Sequence, residues 1–235
     1  MPDRPPRVVD RPPRVVERPP RVVDRPPRVL VLAGTNGAGK SSIGGAFLRQ
    51  SGGAYFNPDE VARAMRSADA SLDTVTANGR AWAVGRRLLE EALRDRRDFA
   101  FETTLGGRTI AALLVAAARQ GCEVRVWYAG LATPELHLAR VAARVRRGGH
   151  DIPEQQIRRR YDGSRRNLIA LLPHVTELTV HDNSVEADPA AGRAPRPTLV
   201  LHVRRGTIVG PADLSSTPAW ARPIVAAARK LVRSS

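Results

Sequence analysis

One lysine stands where phosphate chemistry would need it. Residues 34–41, Gly-Thr-Asn-Gly-Ala-Gly-Lys-Ser, fit the phosphate-binding pattern G-x-x-x-x-G-K-[ST]. In that pattern the backbone N–H groups of Gly34, Thr35, Asn36, Gly37, Ala38 and Gly39 cradle a β-phosphate, with Lys40 bridging β and γ. The hydroxyl of Ser41, followed by Ser42, is the expected Mg2+ ligand, and the expected nucleotide is ATP. Of 38 basic residues only Lys40 and Lys230 are lysine, so a chain that writes nearly every positive charge as arginine keeps lysine here. A compact ammonium fits inside a tight backbone cradle, whereas a planar guanidinium is too large.

Three further sets of residues could act on a bound triphosphate. Asp59 falls in the sequence Asn57-Pro58-Asp59-Glu60. It reads either as a base accepting a substrate hydroxyl proton or as an ordinary first-turn acid favoured by the helix dipole. Glu102 closes the apolar run at residues 99–101 and precedes Thr103. A carboxylate at the end of a buried strand needs a partner, either at a site or in a structural salt bridge. Arg140, Arg144 and Arg147 recur at i, i+4 and i+7 ahead of Gly148-Gly149. They form one face of a helix, which is either a lid that neutralises transferred phosphate or a solvated basic face. The neighbouring arginines 158–160 rank below them.

These residues need a scaffold, and the chain has the pattern for one. Apolar runs of strand type at 29–33, 54–56, 99–104, 122–129, 175–181 and 199–203 alternate with helix patterns. The helices are expected over 42–50, 58–65, 72–94, 109–120, 134–147, 153–172 and 220–232. Asn57 has the character of an N-cap, with Pro58 at the first helical position and Glu60 as capping-box partner. Alternating strands and helices predict an α/β P-loop sandwich with a mainly parallel sheet and an Arg-rich helical lid. One domain is expected over residues 28–235, with a loop at 184–197.

Residues 1–27 hold a seven-residue repeat, Arg-Pro-Pro-Arg-Val-Val-Asp/Glu, whose fourth copy runs into the first strand. Adjacent prolines forbid a continuous helix, so the tract is expected to be extended and without a core of its own. It reads as a proline-rich docking arm or as a duplicated leader, and the leader is favoured.

Composition limits the alternatives. The chain has 235 residues, a net charge of +15 and one cysteine, Cys122, which excludes an internal disulfide framework. No apolar run approaches the ~18 residues of a membrane span, no signal peptide is evident, and a cytoplasmic location is expected. The five histidines show no metal-ligand spacing with Cys122. The positive charge invites nucleic acid, but arginine is spread over every segment without interleaved aromatics, so none is expected as a specific partner. An apolar strand ending in Asp-Glu, an L-S-G-G-Q-type signature and an N-K-x-D motif are all absent, which disfavours transporter-type ATPases and GTPases.

Four blocks in order, Ala33–Ser42, Phe56–Glu60, Phe101–Thr104 and the segment ending Gly148-Gly-His-Asp-Ile-Pro153, resemble the zeta-toxin family of P-loop kinases. That group is also described loosely as predicted ABC-type ATPases. The resemblance spans residues 28–233. It implies a kinase whose relatives phosphorylate UDP-N-acetylglucosamine at the 3′-hydroxyl and are restrained by an antitoxin. By the same resemblance Lys40 and Ser41 bind ATP–Mg2+, Asp59 is the catalytic base, and Glu102 with Thr103 faces the acceptor. Arg140 and Arg147 would clamp phosphate as catalytic residues, with Arg144 on the substrate side. The lid sequence is closer to that of small-metabolite kinases. The rival readings are an ATP-hydrolysing switch, a basic nucleic-acid module and a peptide-docking adaptor.

Overall fold

The computed structural model describes residues 25–40, 44, 55–149, 151–185 and 197–234. Outside these lie the first three repeats, Ser41, Ser42, His150, residues 186–196 and all but Gly44 of the helix expected over 42–50. Seven strands form one sheet: β1 (Arg28–Ala33), β2 (Tyr55–Phe56), β3 (Phe99–Thr103), β4 (Glu123–Gly130), β5 (Glu177–Asp182), β6 (Thr198–Arg204) and β7 (Thr207–Gly210). Six α-helices are present among the described residues: α1 (Pro58–Ala68), α2 (Thr74–Arg94), α3 (Arg108–Arg119), α4 (Pro134–Arg146), α5 (Glu154–Leu171) and α6 (Arg222–Ser234). A 3-10 turn, Ala219–Ala221, precedes α6.

The strand order is β2-β3-β1-β4-β5-β6-β7. The first five strands are parallel and the last two antiparallel. Strand β1 is central, hydrogen-bonded to β3 on one side and β4 on the other. Its residues from Val29 onward are buried on both faces, as a central parallel strand requires. Val29, Val31 and Ala33 join Leu114 of α3, Leu168 of α5 and Ile224 of α6 in the larger core. Leu30 and Leu32 face the other way, with Ala38, Ala100, Trp127 and Ala129. The α/β P-loop sandwich expected from the sequence is the fold observed.

Local signals account for most boundaries. Asn57 caps α1, its Oδ1 accepting from the N–H groups of Asp59 at 2.9 Å and Glu60 at 3.4 Å. The Glu60 carboxylate accepts from the Asn57 side-chain amide at 3.2 Å, so the capping box closes through side chains. Helix α2 starts two residues later than expected because Asp73 caps it, through Val75 and Thr76 N–H. Helix α4 ends in a Schellman motif: Gly148, at φ +81°, donates to Val145 O and Gly149 to Arg144 O.

The sequence reading omits β7. Arg205 and Gly206, both at positive φ, form the two-residue turn of a β6–β7 hairpin. An x-Gly pair between two short apolar runs was the available signal. The chain also enters β1 under restraint. The Arg25 guanidinium pairs with Asp98, which accepts from Arg28 N–H as well, and Pro27 O accepts from Glu123 N–H.

At the end of β4, a Cβ on Gly130 would lie 2.2 Å from Cη2 of buried Trp220. Trp220 is itself held by its Nε1, which donates to Asp182 Oδ1 at 3.2 Å. Gly130→Ala should therefore destabilise the protein by about 1–3 kcal/mol through overpacking. In a Trp220→Leu background the same substitution should cost measurably less, as read from urea titrations of the four variants.

Candidate active site

Three strand ends meet at one cavity. The loop after β1 turns through Gly34 (φ +138°), Gly37 (φ +82°) and Gly39 (φ +81°) before Lys40 enters a helix. Two of these glycines are also required by close approach. A Cβ on Gly34 would lie 2.2 Å from Ala129 O, and one on Gly37 would lie 2.8 Å from His137 O. Neighbouring elements fix the loop. The Asn183 amide donates to Ala38 O at 2.9 Å. The Asn36 carbonyl accepts from His137 Nδ1 at 2.7 Å, and the Asn36 side-chain oxygen accepts from Arg160 Nη1 at 2.8 Å.

Lys40 and Glu102 are both buried, and their Nζ and Oε1 atoms are 3.4 Å apart. The other Glu102 oxygen accepts from the Tyr55 hydroxyl at 2.7 Å and from the Asn57 amide at 3.5 Å. Burial, followed by the Glu102 charge, pushes the Tyr55 phenol far above its ordinary value, so it remains a donor. The ends of β1, β2 and β3 thus deliver one charge-compensated cluster, at the strand edge where ligands bind in open α/β sheets.

The cavity encloses about 1040 Å³. Its walls include Gly37, Gly39, Lys40, Asp59, Glu102 and the three arginines Arg140, Arg144 and Arg147. Asp59 is half-exposed, with its carboxylate 4.0 Å from Arg144. The i, i+4, i+7 face of α4 therefore points into the cavity. Arg140 reaches the carbonyls of Ser184 and Val185 at 3.5 Å, and Arg147 donates to Ala143 O at 3.2 Å. Thr103, expected on the acceptor side, is not in the cavity wall. Its hydroxyl oxygen accepts from Leu105 N–H at 3.0 Å in a local turn. Ser41 and Ser42 lie outside the described residues.

The arginines 158–160, ranked below those of α4 from the sequence, part ways in the structure. Arg158 is spent on surface pairs with Glu135 and Glu154, while Arg160 points inward to the glycine loop. Burial lowers the Arg160 guanidinium pKa, opposed by the nearby Asp59 charge. Tyr55, His137, Arg63 and Arg66 were missed. No pattern in the sequence marks them, because each joins the site only through the packing of its own element.

The comparisons with known proteins bear on the family and the fold. A family model described as an AAA domain matches residues 29–164, from β1 to the middle of α5. The chain belongs to that family. An uncharacterized protein of Haemophilus influenzae is 32% identical over 128 residues, covering 54% of this chain and 88% of that protein. The crystal structure of AvrRxo1-ORF1:-ORF2 with ATP superposes with a TM-score of 0.60 at 14% identity, over 89% of this chain and 64% of that one. A structure from the PezAT chromosomal toxin-antitoxin system of Streptococcus pneumoniae gives 0.53 at 13% identity, over 92% and 88%. At such identities the likeness is one of fold alone, an α/β P-loop NTPase-like fold. Among the described residues no helix is long and apolar enough to cross a membrane.

Two predictions follow from the way the loop is held. Burial, then the charges of Lys40 and Arg140, depress the His137 pKa from its ordinary 6.5 to about 4. The unfolded chain then takes up a proton that the folded chain refuses. His137 stabilises the fold fully above about pH 6.5, and that contribution, about 3 kcal/mol, is lost as the pH falls towards 4. His137→Gln should flatten the fall in unfolding free energy across this window, measured by urea titration at stepped pH. Lys40→Ala should cost about 3–5 kcal/mol because it strands the buried Glu102 charge. Adding Glu102→Gln should recover part of that loss in the same assay.

Proposed function

We propose that the protein is an ATP-dependent phosphotransferase that moves the γ-phosphoryl group to a hydroxyl of a small metabolite. The observation that carries this reading is the placement of Asp59 in the wall of the cavity that also holds Gly37, Gly39 and Lys40. A hydrolytic switch also needs a group to orient its water, but the cavity runs on past Asp59 to Arg63 and Thr74, more space than a water needs. A kinase needs that space for its acceptor.

The residues present fit a triphosphate. The positive-φ glycines turn backbone N–H groups into a cradle, and Lys40 is buried at its end. Mg2+, which the Ser41 hydroxyl would hold together with the phosphates, supplies neutralisation of their charge. Asp59 accepts the proton of the acceptor hydroxyl as its oxygen bonds to the γ-phosphorus and ADP departs. Arg160, braced on Asn36 of the glycine loop, is a further arginine that could meet charge developing on the transferred group. Arg140 and Arg147 complete the phosphate side and Arg144 orients Asp59. Glu102 holds Lys40 in position and borders the acceptor space. The resemblance to zeta toxins supports a UDP-amino sugar as one acceptor and an antitoxin protein as a partner. The fold shared with a structure from the PezAT toxin-antitoxin system is consistent with such a partner.

Asp59→Asn should retain ATP binding and lose turnover about a hundredfold or more. Arg160→Gln should also lower kcat about a hundredfold, with lysine at the same position failing to restore it, because a lysine lacks the guanidinium fork. Both are measured as ADP release in a bacterial metabolite extract, with the phosphorylated product identified by mass spectrometry. Release of inorganic phosphate alone, with no labelled metabolite, would instead identify a hydrolytic switch.

A further inference from the structure

The cavity wall holds more positive charge than phosphoryl transfer uses. Lys40 lies against Glu102, Arg144 against Asp59, and Arg140 and Arg147 against backbone carbonyls. Arg63 and Arg66 line the same cavity from α1, and neither has a hydrogen-bond or ion-pair partner among the described residues. Both are exposed to the cavity, so their charge is available to whatever enters it.

Their spacing relates them to the base. Asp59, Arg63 and Arg66 recur at i, i+4 and i+7, which places them on one face of α1. At 1.5 Å rise per residue the two arginines follow Asp59 by about 6 Å and about 10 Å along the helix axis. The intervening Ala62 is small and buried, so no bulky side chain rises between them. Thr74 and Asn78 of α2 line the same cavity and make this part of its wall polar. The helix is therefore graded: a carboxylate at its first turn, then two guanidinium groups one turn apart.

We infer that Arg63 and Arg66 form an anion subsite for the acceptor, which is a hydroxyl compound carrying a phosphoryl group roughly 6–10 Å from its reacting oxygen. This rests on Asp59 receiving the acceptor's proton. A phosphoryl group has three oxygens and can accept from two guanidinium forks at once. A carboxylate presents two coplanar oxygens that match one fork bidentately, so it gains less from a second. Thr74 and Asn78 border the polar frame between the two ends. In this arrangement α1 selects its acceptor by the distance between hydroxyl and phosphate.

The test uses the full chain, R63Q, R66Q, the double variant and a control, Arg229→Gln, on the exposed face of α6. ADP formation is measured with matched probes: ribose against ribose 5-phosphate, and glucose against glucose 6-phosphate and glucuronate. The wild type and the control should show at least a tenfold higher kcat/KM for the phosphorylated probes. The double variant should lose that advantage through KM. A wild type that uses the plain sugars or glucuronate as well as the phosphates, or a double variant that keeps its preference, overturns the inference. Where no probe is turned over, calorimetric binding of each probe in the presence of a non-hydrolysable ATP analogue decides on the same criterion. ATP binding to the chain alone separates the two levels: its absence overturns the kinase reading and the subsite with it. Loss of the phosphate preference overturns the subsite alone.

Discussion

A buried ammonium needs a counter-charge, and Glu102 supplies it to Lys40. The rest of the site is arranged around that pair. Burying either charge alone would be costly, so β1 and β3 must lie side by side with their ends level. The parallel register of Leu32 with Glu102 and Ala33 with Thr103 achieves this. Tyr55 and Asn57 at the end of β2 satisfy the remaining carboxylate oxygen, which ties the third strand to the same point. Asn57 then caps α1, and the cap fixes where Asp59 stands. One electrostatic requirement thus propagates through three strand ends to the position of the candidate base.

The opposite wall answers a different constraint. A glycine loop with several positive-φ residues is permissive, and its shape must come from elsewhere. Here it comes from α4, α5 and the segment after β5, through His137, Arg160 and Asn183. Each contact binds either a loop carbonyl or the Asn36 side chain, so none of the three consumes a loop N–H group. The helices that carry the arginines are therefore the helices that shape the phosphate cradle. Movement of α4 would be felt in the loop.

What could be read from the sequence follows from how local each cause is. The glycine loop, the Asn57 cap and the Gly148–Gly149 stop are short-range devices, and all three stood out in the sequence. So did the helix face of Arg140, Arg144 and Arg147, because periodicity within a helix is local as well. Arg160 was illegible among three consecutive arginines: only the packing of α5 against Gly106 and Asn36 turns one of them inward. Arg63 and Arg66 were hidden for the same reason, since nothing in α1 states which neighbour its outer face meets.

The entry of the chain into β1 has a consequence for the history of the gene. Asp98 and Glu123 engage Arg25, Pro27 and Arg28, which belong to a motif that the preceding residues repeat three more times. Slippage of the coding DNA by one whole period would lengthen or shorten the chain. It would leave an Arg-Pro-Pro-Arg directly before the strand, so the contacts with Asp98 and Glu123 would be rebuilt from the next copy. Gain or loss of one whole period would thus leave the contacts at the entry to β1 unchanged in kind.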